Sequence, residues 1–133
     1  MGVSMWWDEA DSALFHAKLT KPWAWEDYLK RVEEAIAVIK TRSEIIDAIV
    51  EIDSAGSISS GSIMGQLSKI LKILPDNMGT IVVIINNDFL RMINTLMIRI
   101  SARAQALVVL ADTLEEAEAV IIERRNRRGR GVE

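Results

Sequence analysis

The chain has 133 residues, half of them hydrophobic, with a net charge of −3 and no cysteine. That length suits one domain with its own core, and the lack of cysteine excludes disulfides, thiolate nucleophiles and sulfur metal sites. No apolar run reaches the roughly 20 residues that span a bilayer, and no basic segment leads into an apolar one at the amino terminus, so a cytoplasmic protein without a transmembrane segment is expected.

Residues 3–7 and 13–19 read as two antiparallel strands joined by the polar stretch from Asp8 to Ser12. In the second, Ala13, Phe15, Ala17 and Leu19 share the core face, which turns Leu14, His16 and Lys18 the other way. Pro22 stops this strand, and Glu26 and Asp27 mark a helix start; Leu29, Val32, Ile36 and Ile39 recur at helical spacing. The β-branched run over residues 45–52 is the third strand, broken by Asp53, Ser54, Ala55, Gly56 and Ser57.

After Gly61, residues Ile63, Leu67, Ile70, Leu71 and Leu74 trace a second amphipathic helix ended by Pro75. Residues 80–85 have the continuous apolar pattern of a parallel strand covered on both faces. A third helix is expected with Phe89, Met92, Ile93, Leu96 and Ile100 on one side, widened by Leu90, Met97 and Ile98. Residues 106–110 give the last strand, and Asp112 with Glu115 has the spacing of a capping box before a fourth helix carrying Leu114, Ala117 and Ile121. The order predicts an α/β fold: an N-terminal β-hairpin followed by βα units, with a mostly parallel sheet and four helices. One domain is expected over residues 1–123, followed by a flexible basic tail over 124–133 in which Arg124, Arg125, Arg127, Arg128 and Arg130 find no apolar face to pack. A short arginine tract without interleaved aromatics does not predict nucleic-acid binding.

The hairpin, the βα units and the segment Asp53-Ser-Ala-Gly-Ser-Ile-Ser-Ser-Gly-Ser62 resemble STAS (SpoIIAA-like) domains, named for sulfate transporters and anti-sigma-factor antagonists. Trp23-Ala-Trp25 and Asp112-Thr-Leu-Glu-Glu116 look closest to a group of uncharacterised bacterial STAS-like proteins. The resemblance implies the SpoIIAA-like fold and a non-enzymatic regulatory or scaffolding role in signalling through protein–protein binding. In bacterial members a serine of an Asp-Ser-Ser-Gly motif is phosphorylated, and by position Ser60 is the candidate acceptor, with Ile58 where the motif has aspartate. The implied recognition loop comprises Asp53, Ser54, Ser57, Ser59, Ser60, Gly61 and Ser62. Such serines also suit plain turn and cap positions.

Asp53, Asp88 and Asp112 follow successive strands, but two of them suit helix caps, and neither a metal nor another cofactor is expected. His16, the sole histidine, reads as a surface residue, and no serine sits in a nucleophile elbow, which argues against an enzyme. Trp6, Trp7, Trp23 and Trp25 serve the core or an interface. The alternative to an unidentified protein partner is a small apolar ligand or lipid held against Leu90, Met92, Met97 and Ile98; an enzyme of unknown reaction ranks third. The high apolar content also predicts a homodimer.

Overall fold

The computed structural model describes residues 2–53, 62–85 and 101–130, together with the single positions 88, 92, 95, 98 and 99. Its five strands are β1 (Val3–Trp7), β2 (Leu14–Leu19), β3 (Ile46–Ile52), β4 (Met78–Ile85) and β5 (Val108–Ala111). They form one mixed sheet in the order β1-β2-β3-β4-β5. The hairpin pair β1–β2 is antiparallel, and β2–β3, β3–β4 and β4–β5 are parallel. The helices are α1 (Trp25–Ile39), α2 (Ser62–Ile73), α3 (Ala102–Leu107) and α4 (Leu114–Arg130).

Because each parallel crossover moves one strand further in the same direction, right-handed connections place their helices on one face of the sheet. There α1 buries Trp25, Tyr28, Val32, Ile36 and Ile39 at spacings of three and four. They meet Ile46, Ala48, Val50 and Ile52 from alternate positions of β3, with Ile70 and Leu71 of α2 beside them. The opposite face has α4, whose Ala117 and Ile121 pack on Leu14, Ile49, Val82, Ile84 and Ala111. Among the described residues the strand order never reverses, so this sheet has no switch-point crevice of the kind where open α/β sheets usually bind ligands.

The outcome differs from the expectations at both ends of the last strand. Ala106 and Leu107 belong to α3 rather than to β5, because the Ser101 hydroxyl caps the Ala104 N–H at 3.2 Å and starts a helix rich in alanine. At the start of α4 the capping box is one residue later than Asp112 and Glu115. Thr113 Oγ1 accepts from Glu116 N–H at 3.1 Å, while Glu116 Oε1 accepts from Asp112 N–H at 2.7 Å. Of the helix expected across residues 89–100, the described positions 92, 95, 98 and 99 are helical.

The expected tail from Arg124 onward is helical through Arg130. Its anchor is Asp47, a wholly buried carboxylate at the start of β3. Arg125 Nε donates to Asp47 Oδ2 at 2.6 Å, and Arg128 donates from Nη1 and Nη2 to the two oxygens at 3.1 and 2.9 Å. Arg125 also binds Asp11 and, at 3.0 Å, the Ala13 carbonyl, which ties α4 to the hairpin. A register shift between Ile46 and Ala48 of β3 and their partners Met78 and Ile81 displaces β4 here. Thr80 N–H donates to Asp47 Oδ1 at 2.7 Å. Gly79 leaves room for this: a Cβ there would lie 2.4 Å from Asp47 Oδ1 and 3.0 Å from Arg128 Nη1. Burial alone would push the Asp47 carboxyl up, but the bonds from Arg128, Thr80 and Arg125 outweigh it and hold the group below its ordinary value.

Candidate functional site: a cleft between the hairpin and the last helix

Among the described residues, α1, α2 and α3 lie on one face of the sheet and α4 covers part of the other. It starts after β5 and ends over the beginnings of β2 and β3, where Arg125 reaches Ala13 and Asp47. The rest of that face, on β1, β2 and the end of β3, forms the floor of a cleft of about 390 Å³. Strand periodicity selects its floor residues: Trp6, His16, Ile49 and Glu51 stand at alternate positions. Leu114 and Glu118 from α4 form one wall, and Asp8, Glu9 and Ala10 from the hairpin turn the other.

His16 is 7% exposed, so its expected place on the surface is corrected: Trp6 roofs it. The two rings stack with centroids 5.2 Å apart and planes 7° from parallel, as cross-strand partners permit. His16 Nε2 lies 2.8 Å from Asp8 Oδ1, and Ala10 N–H donates to Asp8 Oδ2 at 3.0 Å. The His16 hydrogen bond, followed by the Ala10 N–H, lowers the Asp8 carboxyl below its ordinary value. Since an ionised carboxylate only accepts, His16 Nε2 carries the proton of this bond. An oriented imidazole of this kind suits proton transfer, yet the cleft's described lining offers no hydroxyl or thiol for it to activate.

The acids Asp8, Glu9, Glu51 and Glu118 line the cleft, and no lysine or arginine is among its described lining residues. Trp6 is 45% exposed at its rim and Leu114 44%. Among the described residues no group of three or more acidic or histidine side chains is arranged to hold a metal ion. The arrangement is suited to holding a cationic, partly apolar group by charge and contact.

The residues singled out from sequence are dispersed. Ser54, Ser57, Ser59, Ser60 and Gly61 lie outside the described residues, as do Leu90 and Met97. Asp53 is exposed, and its two carboxylate oxygens accept from Lys21 N–H at 3.1 and 3.2 Å, fastening the end of β3 to the connection before α1. Ser62 begins α2. Met92 is 52% exposed. Ile98 lines a separate cavity of about 80 Å³ on the other face of the sheet, with Trp25, Tyr28, Leu74, Val83 and Ala104. Trp25 Nε1 is buried there with no hydrogen-bond partner among the described residues, and burial pushes the Tyr28 hydroxyl up to about 12.

Sequence reasoning missed Asp47 and the Asp8–His16–Trp6 group. A signal for the first exists: Asp47 interrupts a β-branched run, and a carboxylate on a strand covered on both faces requires a cation. For the second, cross-strand register decides which rings meet, and it depends on the turn.

No protein-family model matches the chain, and neither a curated protein nor a solved structure shows similarity to it. No helix among the described residues is long and apolar enough to cross a membrane.

Proposed function

We propose that the protein is a non-enzymatic regulatory or scaffolding module of the STAS-like kind, which binds a lysine- or arginine-bearing segment of a partner protein in the cleft beside α4. The carrying observation is the cleft itself: a concave, carboxylate-lined patch on the part of the sheet that α4 leaves bare, with Trp6 at its rim and no nucleophile in its described lining. Complementary charge of this kind steers a basic partner and fixes its register. Titrating isotope-labelled protein with a short oligolysine peptide tests it. Amide shifts centred on Glu9, Glu51 and Glu118, weakened by salt and abolished in Glu51→Lys with Glu118→Lys, support the reading. Shifts centred elsewhere refute it.

Ser60 occupies the place through which the resemblance would bring a kinase's control to this binding. Stoichiometric phosphate on Ser60 in protein from its own host supports that arm, and its absence removes that arm.

A second reading, a carrier of a small apolar molecule, is favoured by the apolar cavity and the unpartnered Trp25 Nε1. The volume of about 80 Å³ is about half of the roughly 150 Å³ that admits benzene. A lipid chain therefore fits only if the helices around it move. Native mass spectrometry of host-purified protein, with or without a bound apolar adduct, separates the two readings.

A further inference from the structure

β1 is the edge strand of the sheet. Its ladder with β2 fixes which backbone groups are used. Thr20 N–H donates to the Gly2 carbonyl at 2.7 Å and Asp8 N–H to the Leu14 carbonyl at 2.9 Å, at the two ends of an unbroken antiparallel register. Even-numbered residues therefore exchange bonds with β2, and Val3, Met5 and Trp7 turn their N–H and carbonyl groups toward the open edge.

Natural edge strands are usually guarded by proline, an inward charge, a bulge or very short length. β5, at the other edge, has four residues. β1 reads Val-Ser-Met-Trp-Trp, with neither proline nor a charge, and its register has no bulge. Among the described residues, the Val3 carbonyl is guarded by a bond from Arg31 Nη1 at 3.1 Å.

We infer that this edge is a two-fold interface in which β1 pairs antiparallel with β1 of a second copy, with the axis at Trp6. A register centred there pairs Met5 of each chain with Trp7 of the other through hydrogen-bonded positions and leaves the Val3 carbonyl to Arg31. It also opposes the two Trp6 residues at a non-hydrogen-bonded position, where side chains stand closest. Trp6 already stacks one side on His16 and is 45% exposed. The second Trp6 covers its outer side, giving a row of His16, Trp6, Trp6 and His16 across the axis.

Charge favours the same partner. In this register Ser4 of one copy faces Asp8 of the other on the face that holds Trp6. Lys18, the exposed cross-strand partner of Ser4, then lies in the same row one strand beyond it, and its long side chain can extend over the small Ser4 toward the second copy's Asp8. A lysine thus approaches a carboxylate on each side of the axis. On the other face, the α1 residues beside this edge carry both signs, in Asp27, Glu34, Lys30 and Arg31. This interface is independent of the cleft reading and stands if the cleft binds nothing.

The absence of cysteine allows a direct test. Sedimentation of the full chain at micromolar to 100 µM concentration should show a dimer. Met5→Pro removes an N–H that points away from β2, so far-UV circular dichroism should stay that of the folded protein. Two lost bonds per dimer raise the dissociation constant about 100-fold. Trp6→Cys places a single thiol at the axis, within reach of its copy for a disulfide. Under mild oxidation it should cross-link at least ten times faster than Ser12→Cys, an exposed control in the hairpin turn. A wild-type chain that is monomeric throughout, a Met5→Pro dimer of undiminished affinity, or equal cross-linking of the two cysteine variants would each overturn the interface.

Discussion

Replacing Arg125 and Arg128 by alanine, singly and together, asks whether Asp47 holds the end of α4 on the sheet. Asp47 has no exposed side-chain area, whereas Arg125 and Arg128 keep 29% and 32% of theirs in water. A hydrogen bond to a charged group contributes about 1.5–3 kcal/mol, and partial hydration of the guanidinium discounts it, so each single variant should lose about 1–1.5 kcal/mol. One arginine still neutralises the carboxylate in either case. With both removed, the carboxylate is buried without a countercharge, which costs about 3–5 kcal/mol. The double variant should therefore exceed the sum of the singles by about 1–2 kcal/mol. Urea titration followed by circular dichroism measures this; at a slope of about 1.5 kcal/mol per molar, the double variant's midpoint falls by about 2–3 M. Adding Asp47→Asn to it should restore part of the loss, because the amide oxygen can still accept from Thr80 without a charge to desolvate. Additive singles, each below about 0.5 kcal/mol, would show that the carboxylate is not held by the arginines and would refute the reasoning.

Gly79→Ala should cost about 1–3 kcal/mol, since its Cβ would meet Asp47 Oδ1 at 2.4 Å and Ile45 Cγ2 at 2.6 Å; an unchanged melting temperature contradicts the crowding. Asn77→Leu should cost about 1–2 kcal/mol, because Asn77 Nδ2 donates to the carbonyls of Ile39, Glu44 and Arg42 at 2.9, 3.1 and 3.3 Å and so closes the end of α1; calorimetry reads the loss, and a neutral result removes that role. Asp47, Asp8 and Glu44 all have carboxyls lowered in the folded chain. On acidification the unfolded chain therefore takes up protons first. Their stabilisation is complete above the ordinary carboxylate pKa of about 4 and is lost as pH falls through the lower folded values. A urea midpoint that holds or rises between pH 5 and pH 2 would reverse that sign.

The sequence by itself determined the elements wherever their cause is local. The two-residue period of residues 13–19 put Ala13, Phe15, Ala17 and Leu19 on one face, and the structure packs all four in the core on the α1 side. The three- and four-residue spacing after Trp25 gave α1, although Tyr28 is buried and Leu29 half-buried within the stripe. The apolar run at residues 80–85 announced a covered inner strand, which β4 is. The end of α4 could not be read in this way, because its stability comes from Asp47, 78 residues before Arg125 and 81 before Arg128. A window around the arginines contains only charge, asparagine and glycine and looks like solvent-facing tail. The cleft has the same origin. Asp8, His16, Glu51 and Glu118 belong to four separate stretches, each polar residue being unremarkable in its own stretch. Strand register, together with the path of α4 over only part of one face, is what brings their side chains into one space. Local periodicity fixes which way a side chain points; only the packed sheet decides what it meets.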